Sequence, residues 1–442
     1  MKIMHIIPGS GGSFYCGNCL RDSKYVEALR KSSHEVSKIP MYLPLFADEH
    51  DLSPDVPVFY GAISIYLKQQ VPLFRRAPAW FDGWLNSKRM LKLAARAAGS
   101  TRASGLEEMT VSMLLGETGQ QKDELERMVE WISEHCNPDV IHLSNALLLG
   151  LAHRLKEKLK VPVVCSLQDE DQWVDVMHRS ARERVWNLIS EKAEDVTELI
   201  PVSDFYAGEM KKQLRLPDST LKSVHIGLYP EDYTWSRPSE KSRNIGYVSR
   251  MSEDLGLGVL VDAFIELKKD KEYADVNLYL TGGQTGDDRK FIRNIRSRLQ
   301  RNGLEHNVVF FDEFEEDALR DYFKQIAVMS VPVLKGEAFG IYLLEAMASG
   351  IPVVQPALGA FPEIVNLSEG GVLYEPNTPE ALCSSLKQVL SDPEKLDELA
   401  VKGRQGVENH FHVDLQVEKM MKIYEEAISK GQGNRLDRFR SA

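Results

Sequence analysis

Short apolar runs alternate with amphipathic stretches along almost the whole chain, in two separate series. A buried apolar run followed by a helix-length amphipathic segment marks a βαβ unit, whose strands are parallel and covered on both faces. In the first series, strands are predicted at Lys2–Ile7, Glu35–Ile39, Val140–Leu143, Val163–Leu167 and Glu198–Val202. A Gly-rich loop and a helix over about Asn18–Arg30 follow the first of them. The second series begins near Asn244, with strands predicted at Ile245–Val248, Val276–Leu280, Val308–Phe311, Val328–Val333 and Val353–Val354. The Pro-, Ser- and charge-rich stretch Pro230–Arg243 reads as a linker. The expected organisation is a first domain over 1–230, a second over 240–413, and a last helix over about 414–430 that completes the first. The polar tail Gly431–Ala442 is expected to be loose.

The chain's 442 residues suit two to three ordinary domains, and 43% hydrophobic residues suffice to build their cores. A net charge of −11 argues against bulk nucleic-acid binding, which needs clustered positive charge. The opening MKIMHIIPGSGG reads as a buried first strand, too short for a signal peptide's apolar region, and no apolar stretch has membrane-spanning length. The expected location is the cytoplasm, and five cysteines in so long a chain do not make a disulfide framework. Ala62–Gln120 breaks the alternation and reads as mostly helical. It mixes Trp80, Phe81 and Trp84 with Arg75, Arg76, Lys88, Arg89, Lys92 and Arg96, which suits a lid, an acceptor site, a peripheral membrane contact or simply a helical pair packed on the first domain.

The chemistry concentrates at AVMSVPVLKGEAFGIYLLEAMASGIPVVQP, from Ala327 to Pro356. A strand runs into the loop Lys335–Gly340, a helix follows over about Ile341–Ser349, Gly350 ends it, and Pro352 precedes the next strand. The N-terminus of such a helix points at the carboxyl end of the sheet, where its free N–H groups and dipole suit a phosphate. Glu337 and Glu345, separated by seven residues, are placed to flank one bound molecule.

Glu337-Ala-Phe-Gly-Ile-Tyr-Leu-Leu-Glu345, followed by Ala346-Met-Ala-Ser-Gly-Ile-Pro-Val-Val354, resembles the E-x7-E signature of glycosyltransferase family 4. The resemblance continues through Gly359–Val365, and at the N-terminus through Pro8–Gly12 and Glu27–Val36. Pro138–His142 and Val202–Phe205 also fit the family pattern. It implies the GT-B fold, two Rossmann-like doubly wound parallel-sheet domains with a deep interdomain cleft. It further implies retaining transfer of a hexose-type sugar from a nucleoside diphosphate sugar to a hydroxyl acceptor, with no metal. On that pattern Arg250, Gly283, Phe339, Gly340, Ile341 and Glu345 bind the donor together with Gly11 and Gly12, and Glu337 orients the sugar. His142 and Gln168 stand at first-domain strand ends, where a catalytic role and a structural one are both open.

Three positions depart from the family. Leu255 stands where a lysine would join Arg250 on the diphosphate, Gln168 replaces a titratable histidine, and His225-Ile-Gly227 replaces an Asn-Gly segment. Asp169-Glu-Asp171 contains a D-x-D that reads as an acceptor-side or helix N-terminal cluster rather than a metal site. Cys16-Gly-Asn-Cys19 lacks the second ligand pair that zinc needs and reads as a loop lining the acceptor cleft, with a redox role also open. The competing functions are a nucleotide-sugar epimerase of the same fold and a degenerate nucleotide-sugar-binding protein.

Overall fold

The computed structural model describes residues 1–8, 17–41, 106–216, 221–314 and 316–440. Gly11, Gly12, Cys16 and the aromatic and basic residues of the 62–105 stretch lie outside the described residues, and of Cys19 only the backbone is described. The chain divides into two compact units: Met1–Gly12, Asn18–Val224 and Val417–Ala442 form one, and Ser13–Gly17 with His225–Gln416 form the other. The change of unit falls at Val224/His225, so the stretch read as a linker, Pro230–Arg243, lies inside the second unit. Among the described residues, no helix is long and apolar enough to cross a membrane.

The first unit holds a parallel five-stranded sheet: β1 Lys2–Ile7, β2 Glu35–Pro40, β3 Val140–Leu143, β4 Val163–Leu167 and β5 Glu198–Pro201, in the order β2-β1-β3-β4-β5. β3, β4 and β5 are buried at every residue, as expected for strands covered by helices on both faces. The helix Asp204–Leu214 starts where Ser203 accepts a hydrogen bond from the Tyr206 N–H, a polar cap on an otherwise unsatisfied donor. The last helix runs Val413–Arg440, through the tail expected to be loose. That tail lacks proline and holds three arginines, which carry a helix onward.

The last helix docks through a buried polar network. The β1–β3 register sets His5 beside His142, ring centroids 4.6 Å apart. His142 Nδ1 lies 2.6 Å from the Tyr424 hydroxyl and Nε2 lies 2.7 Å from the Ser166 hydroxyl. Arg21 donates from Nη2 to Ser166 Oγ at 2.7 Å, and Asp22 Oδ1 sits 3.5 Å from both His5 Nε2 and Arg21 Nη1. Arg21 and His142 are each 1% exposed. Burial, then the neighbouring His5 and Arg21, push the His142 pKa well below its ordinary value.

The second unit holds a parallel six-stranded sheet: β6 Ile245–Val248, β7 Leu278–Thr281, β8 Val308–Phe310, β9 Val328–Met329, β10 Val353–Pro356 and β11 Gly371–Tyr374. Its order is β11-β10-β9-β6-β7-β8. Counted from β6, this is the doubly wound dinucleotide-fold order, which reverses between β6 and β9. β9 is far shorter than the predicted Val328–Val333. The Val331 N–H donates to the buried Gln355 Oε1 at 3.2 Å, and Pro332 has no N–H to give a neighbour. The edge strand β11 was not predicted from the sequence. Its Gly-Val-Leu-Tyr run is short and only part buried. Pro379–Leu390 and Pro393–His410 start on Thr378 and Asp392, whose side chains accept from the Ala381 and Lys395 N–H groups, each with Pro in the first turn.

Two outcomes test the His142 network. Tyr424→Phe keeps the ring and deletes one partner of a buried imidazole, so urea denaturation should show a loss of roughly 1–3 kcal/mol. Because the folded state holds His142 neutral, the unfolded chain binds more protons below its ordinary value of 6.5. Stability therefore falls as pH drops below about 6.5, by at most about 1.4 kcal/mol per pH unit from this group, and levels off below the depressed folded value. His142→Gln should flatten that slope; an unchanged slope would show that His142 is not its source.

Candidate functional site

In a doubly wound sheet, ligands bind at the carboxyl ends of the strands where the order reverses. In the second unit that point lies between β6 and β9. The loop after β6 carries Ser249–Gly256, the loop after β7 carries Gly282 and Gly283, and the loop after β9 carries Val331–Gly340. Backbone bonds lace these loops together. The Met251 N–H donates to Gly283 O at 2.9 Å, Leu334 N–H to Asp254 O at 3.0 Å, and Ala360 N–H to Glu337 O at 3.0 Å.

The Tyr247 side chain is the post around which the loops turn. Its buried hydroxyl donates to Arg250 O at 2.9 Å and lies 3.3 Å from Leu255 O. Its pKa is pushed well up, first by burial and then by the charge of Glu337, with Arg250 pulling the other way and Asp288 adding to the rise. One phenol thus senses both Arg250 and Glu337. Arg250 is a third exposed, with Nε 3.8 Å from Asp288 Oδ2. Asp288 is itself held by the Thr285 N–H and hydroxyl at 2.7 and 2.6 Å.

The helix Ile341–Ala348 begins at Gly340, in the left-handed region with φ +97°, with no side-chain cap. An uncapped helix start leaves its dipole's positive end for a ligand. All eight helix residues are buried. Tyr342 donates its hydroxyl to Glu337 Oε2 from the first turn. Glu345, one turn further in, is 2% exposed and accepts the Tyr233 hydroxyl on Oε1 at 3.0 Å. His225 Nε2 lies 2.5 Å from Glu363 Oε1, and the imidazole packs on Phe411 and on Phe339 of the motif.

The structure thus gathers Arg250, Gly283, Glu337, Phe339, Gly340, Ile341 and Glu345 at the carboxyl edge of one sheet. His142 and Gln168 belong to the first unit, and neither presents a reactive atom at a surface. His142 is enclosed in the network described above, because Arg21 and the last helix cover the sheet face it occupies. Gln168 is 3% exposed and donates to Ser144 O at 2.7 Å, a bond that ties the ends of β3 and β4. Leu255, where a lysine was expected, is half-buried.

Tyr233, Tyr342, Asp288 and the His225–Glu363 pair were not predicted as site residues. Tyr342, inside the E-x7-E stretch, and His225 and Glu363, inside segments compared with the family, carried a local signal; Tyr233 and Asp288 did not. In the D-x-D segment, Glu170 is buried and accepts from the Ala146 N–H and the Tyr206 hydroxyl, each at 2.8 Å. Asp171 Oδ1 lies 2.9 Å from the same hydroxyl, and burial raises both carboxyl pKa values. Among the described residues, one group with metal-ligand side chains, Glu117, His153 and Glu157, brings ligand atoms within 4.8 Å of one another. It is exposed on the first unit, where Arg154 donates to Glu157.

Gly359 holds φ +61°, and a Cβ there would lie 2.4 Å from Glu337 N. Gly359→Ala is expected to cost about 1–3 kcal/mol of folding stability and to displace the Glu337 loop. Wild-type stability in this variant would show that the loop yields freely.

The profile of the family described as Glycosyl transferases group 1 matches residues 242–392, the span that holds these loops. The chain is 26% identical over 278 residues to an uncharacterized glycosyltransferase of Methanocaldococcus jannaschii, covering 58% of this chain and 66% of that protein. It is 28% identical over 196 residues to a D-inositol 3-phosphate glycosyltransferase of Corynebacterium diphtheriae, covering 44% of this chain and 45% of that protein. Both alignments span less than two thirds of the relative's own length. In fold, the chain is similar to sucrose-phosphate synthase from Thermosynechococcus elongatus, with TM-score 0.70, 17% identity, and 97% and 100% of the two chains covered. It is also similar to Anabaena HepE in complex with UDP-glucose, with TM-score 0.66, 16% identity, and 96% and 100% covered. Residues 242–392, with the E-x7-E helix at the strand-order reversal, match the group 1 glycosyltransferase family, and the two parallel-sheet α/β units share the fold of these solved structures, in keeping with the family 4 resemblance.

Proposed function

We propose that this chain transfers a hexose-type sugar from a nucleoside diphosphate sugar to a hydroxyl acceptor, with retention of configuration, without a metal and in the cytoplasm. The observation that carries the reading is the pairing of Arg250 after β6 with the uncapped Gly340 helix start after β9, at the strand-order reversal. That pairing offers a cation and a helix dipole to a diphosphate, with Glu337 and Glu345 following in the same loop and helix. The UDP-glucose bound by HepE is a donor of this class.

In this reading the second unit binds the donor. The anomeric carbon–oxygen bond to the diphosphate breaks, and the leaving oxygens gain charge that Arg250 and the helix start stabilise. The acceptor hydroxyl attacks on the same face, and its proton passes to the departing phosphate oxygen. Glu337 accepts from sugar hydroxyls and Glu345 from ribose hydroxyls. The first unit selects the acceptor, which is a glycan, a lipid-linked sugar or a small polyol. A second reading, a protein that binds the donor but no longer turns it over, is favoured by Leu255 alone.

Thermal-shift measurements with UDP, GDP, ADP and their sugar conjugates, with and without EDTA, test the proposal. One nucleotide should stabilise the chain independently of EDTA, by about 2.7 kcal/mol at a hundredfold excess over Kd, and Glu345→Ala should abolish the shift. Absence of any shift would remove the donor site. Leu255→Lys adds a charge-assisted contact worth about 1.4 kcal/mol and should tighten nucleoside diphosphate binding roughly tenfold. Release of sugar to added acceptors by the wild-type chain separates the transferase from the binding protein.

A further inference from the structure

The carboxylate of Glu345 is buried, and its orientation is set by residues remote from the motif. Tyr233, 4% exposed, donates its hydroxyl to Glu345 Oε1 at 3.0 Å. Tyr233 closes a short turn, Pro230–Asp232, whose backbone is gripped from elsewhere. Arg404, in the helix Pro393–His410, donates from Nη1 to Pro230 O at 2.7 Å, Tyr233 O at 3.2 Å and Ala348 O at 2.7 Å. Ala348 is the last residue of the helix that carries Glu345. One guanidinium nitrogen therefore holds the carbonyl end of that helix and the main chain on both sides of the Tyr233 turn. Its Nε is steadied by Glu408 one turn on, at 2.6 Å. A cation at a helix's carbonyl end also reinforces the dipole whose positive end lies at Gly340.

We infer that Tyr233 and Arg404 are positioning residues for donor recognition: Arg404 fixes the Tyr233 turn against the helix, and Tyr233 fixes the Glu345 carboxylate for hydrogen bonding to the ribose of a nucleoside diphosphate. The inference rests on the reading of Glu345 as the ribose acceptor. In this assignment both residues act through Glu345, so the signature is the loss of hydroxyl discrimination rather than of general binding. A carboxylate held in one rotamer accepts from the ribose hydroxyls at no ordering cost; a carboxylate free to turn gives up part of that gain.

The test is calorimetric titration of the full-length chain with UDP, 2′-deoxy-UDP and 3′-deoxy-UDP, or with the matching GDP or ADP set if the wild type prefers another base. Tyr233→Phe should weaken UDP five- to twentyfold, leave the deoxy analogues nearly unchanged, and so shrink the ratio between them. Arg404→Met should move the ratio in the same direction, and Arg404→Lys should restore part of it. If Tyr233→Phe folds poorly, the Arg404→Lys and Arg404→Met pair carries the comparison alone. A wild-type ratio in Tyr233→Phe, or in Arg404→Met where Tyr233→Phe does not fold, overturns the inference while leaving the donor site intact. A wild-type chain that binds no nucleoside diphosphate overturns the donor reading and the inference together.

Discussion

The second unit is organised by one constraint, the reversal of strand order between β6 and β9. Parallel strands whose connections leave in opposite directions open a gap at their carboxyl ends that no crossover covers. Into that gap the chain places a loop with an arginine from one side and a Gly-initiated helix from the other. Backbone bonds between the loops and the phenol of Tyr247 brace the arginine's loop, and Arg404 holds the far end of the helix.

One buried carboxylate in each unit is met in the same way. Glu345 and Glu170 are nearly sealed from water, and each has a tyrosine hydroxyl as a partner. A phenol offers one strong donor on a rigid ring that is otherwise apolar, so it satisfies a buried carboxylate without bringing a second charge into the core. His142 meets its Tyr424 in the same way, as a neutral ring rather than an ion.

Most strands and the E-x7-E helix were legible in the sequence because their signals are local. Apolar runs and the motif's spacing each extend over fewer than about ten residues. What was missed is non-local. Glu345 meets Tyr233 across 112 residues and Arg404 reaches Pro230 across 174, distances at which spacing carries no signal. His142 was read correctly as lying on a strand, but the Tyr424 that covers it arrives 282 residues later. β9 was overextended because an apolar run ending in Val-Pro-Val looks like strand, whereas Gln355 and Pro332 take over its backbone bonding. β11 was missed because an edge strand needs only one well-buried residue.

The Tyr424–His142 contact sets a timetable for the chain as it is made. Every residue from His225 to Gln416 leaves the ribosome before Tyr424 does, so the second unit has its full complement of strands while the first still lacks its closing helix. Until then His5 and His142 on β1 and β3 have Arg21 over them but not the Tyr424 hydroxyl. The unit synthesised first is the one that finishes last, and a nascent chain released before Tyr424 would carry a complete nucleotide-type fold attached to a sheet that lacks its closing helix.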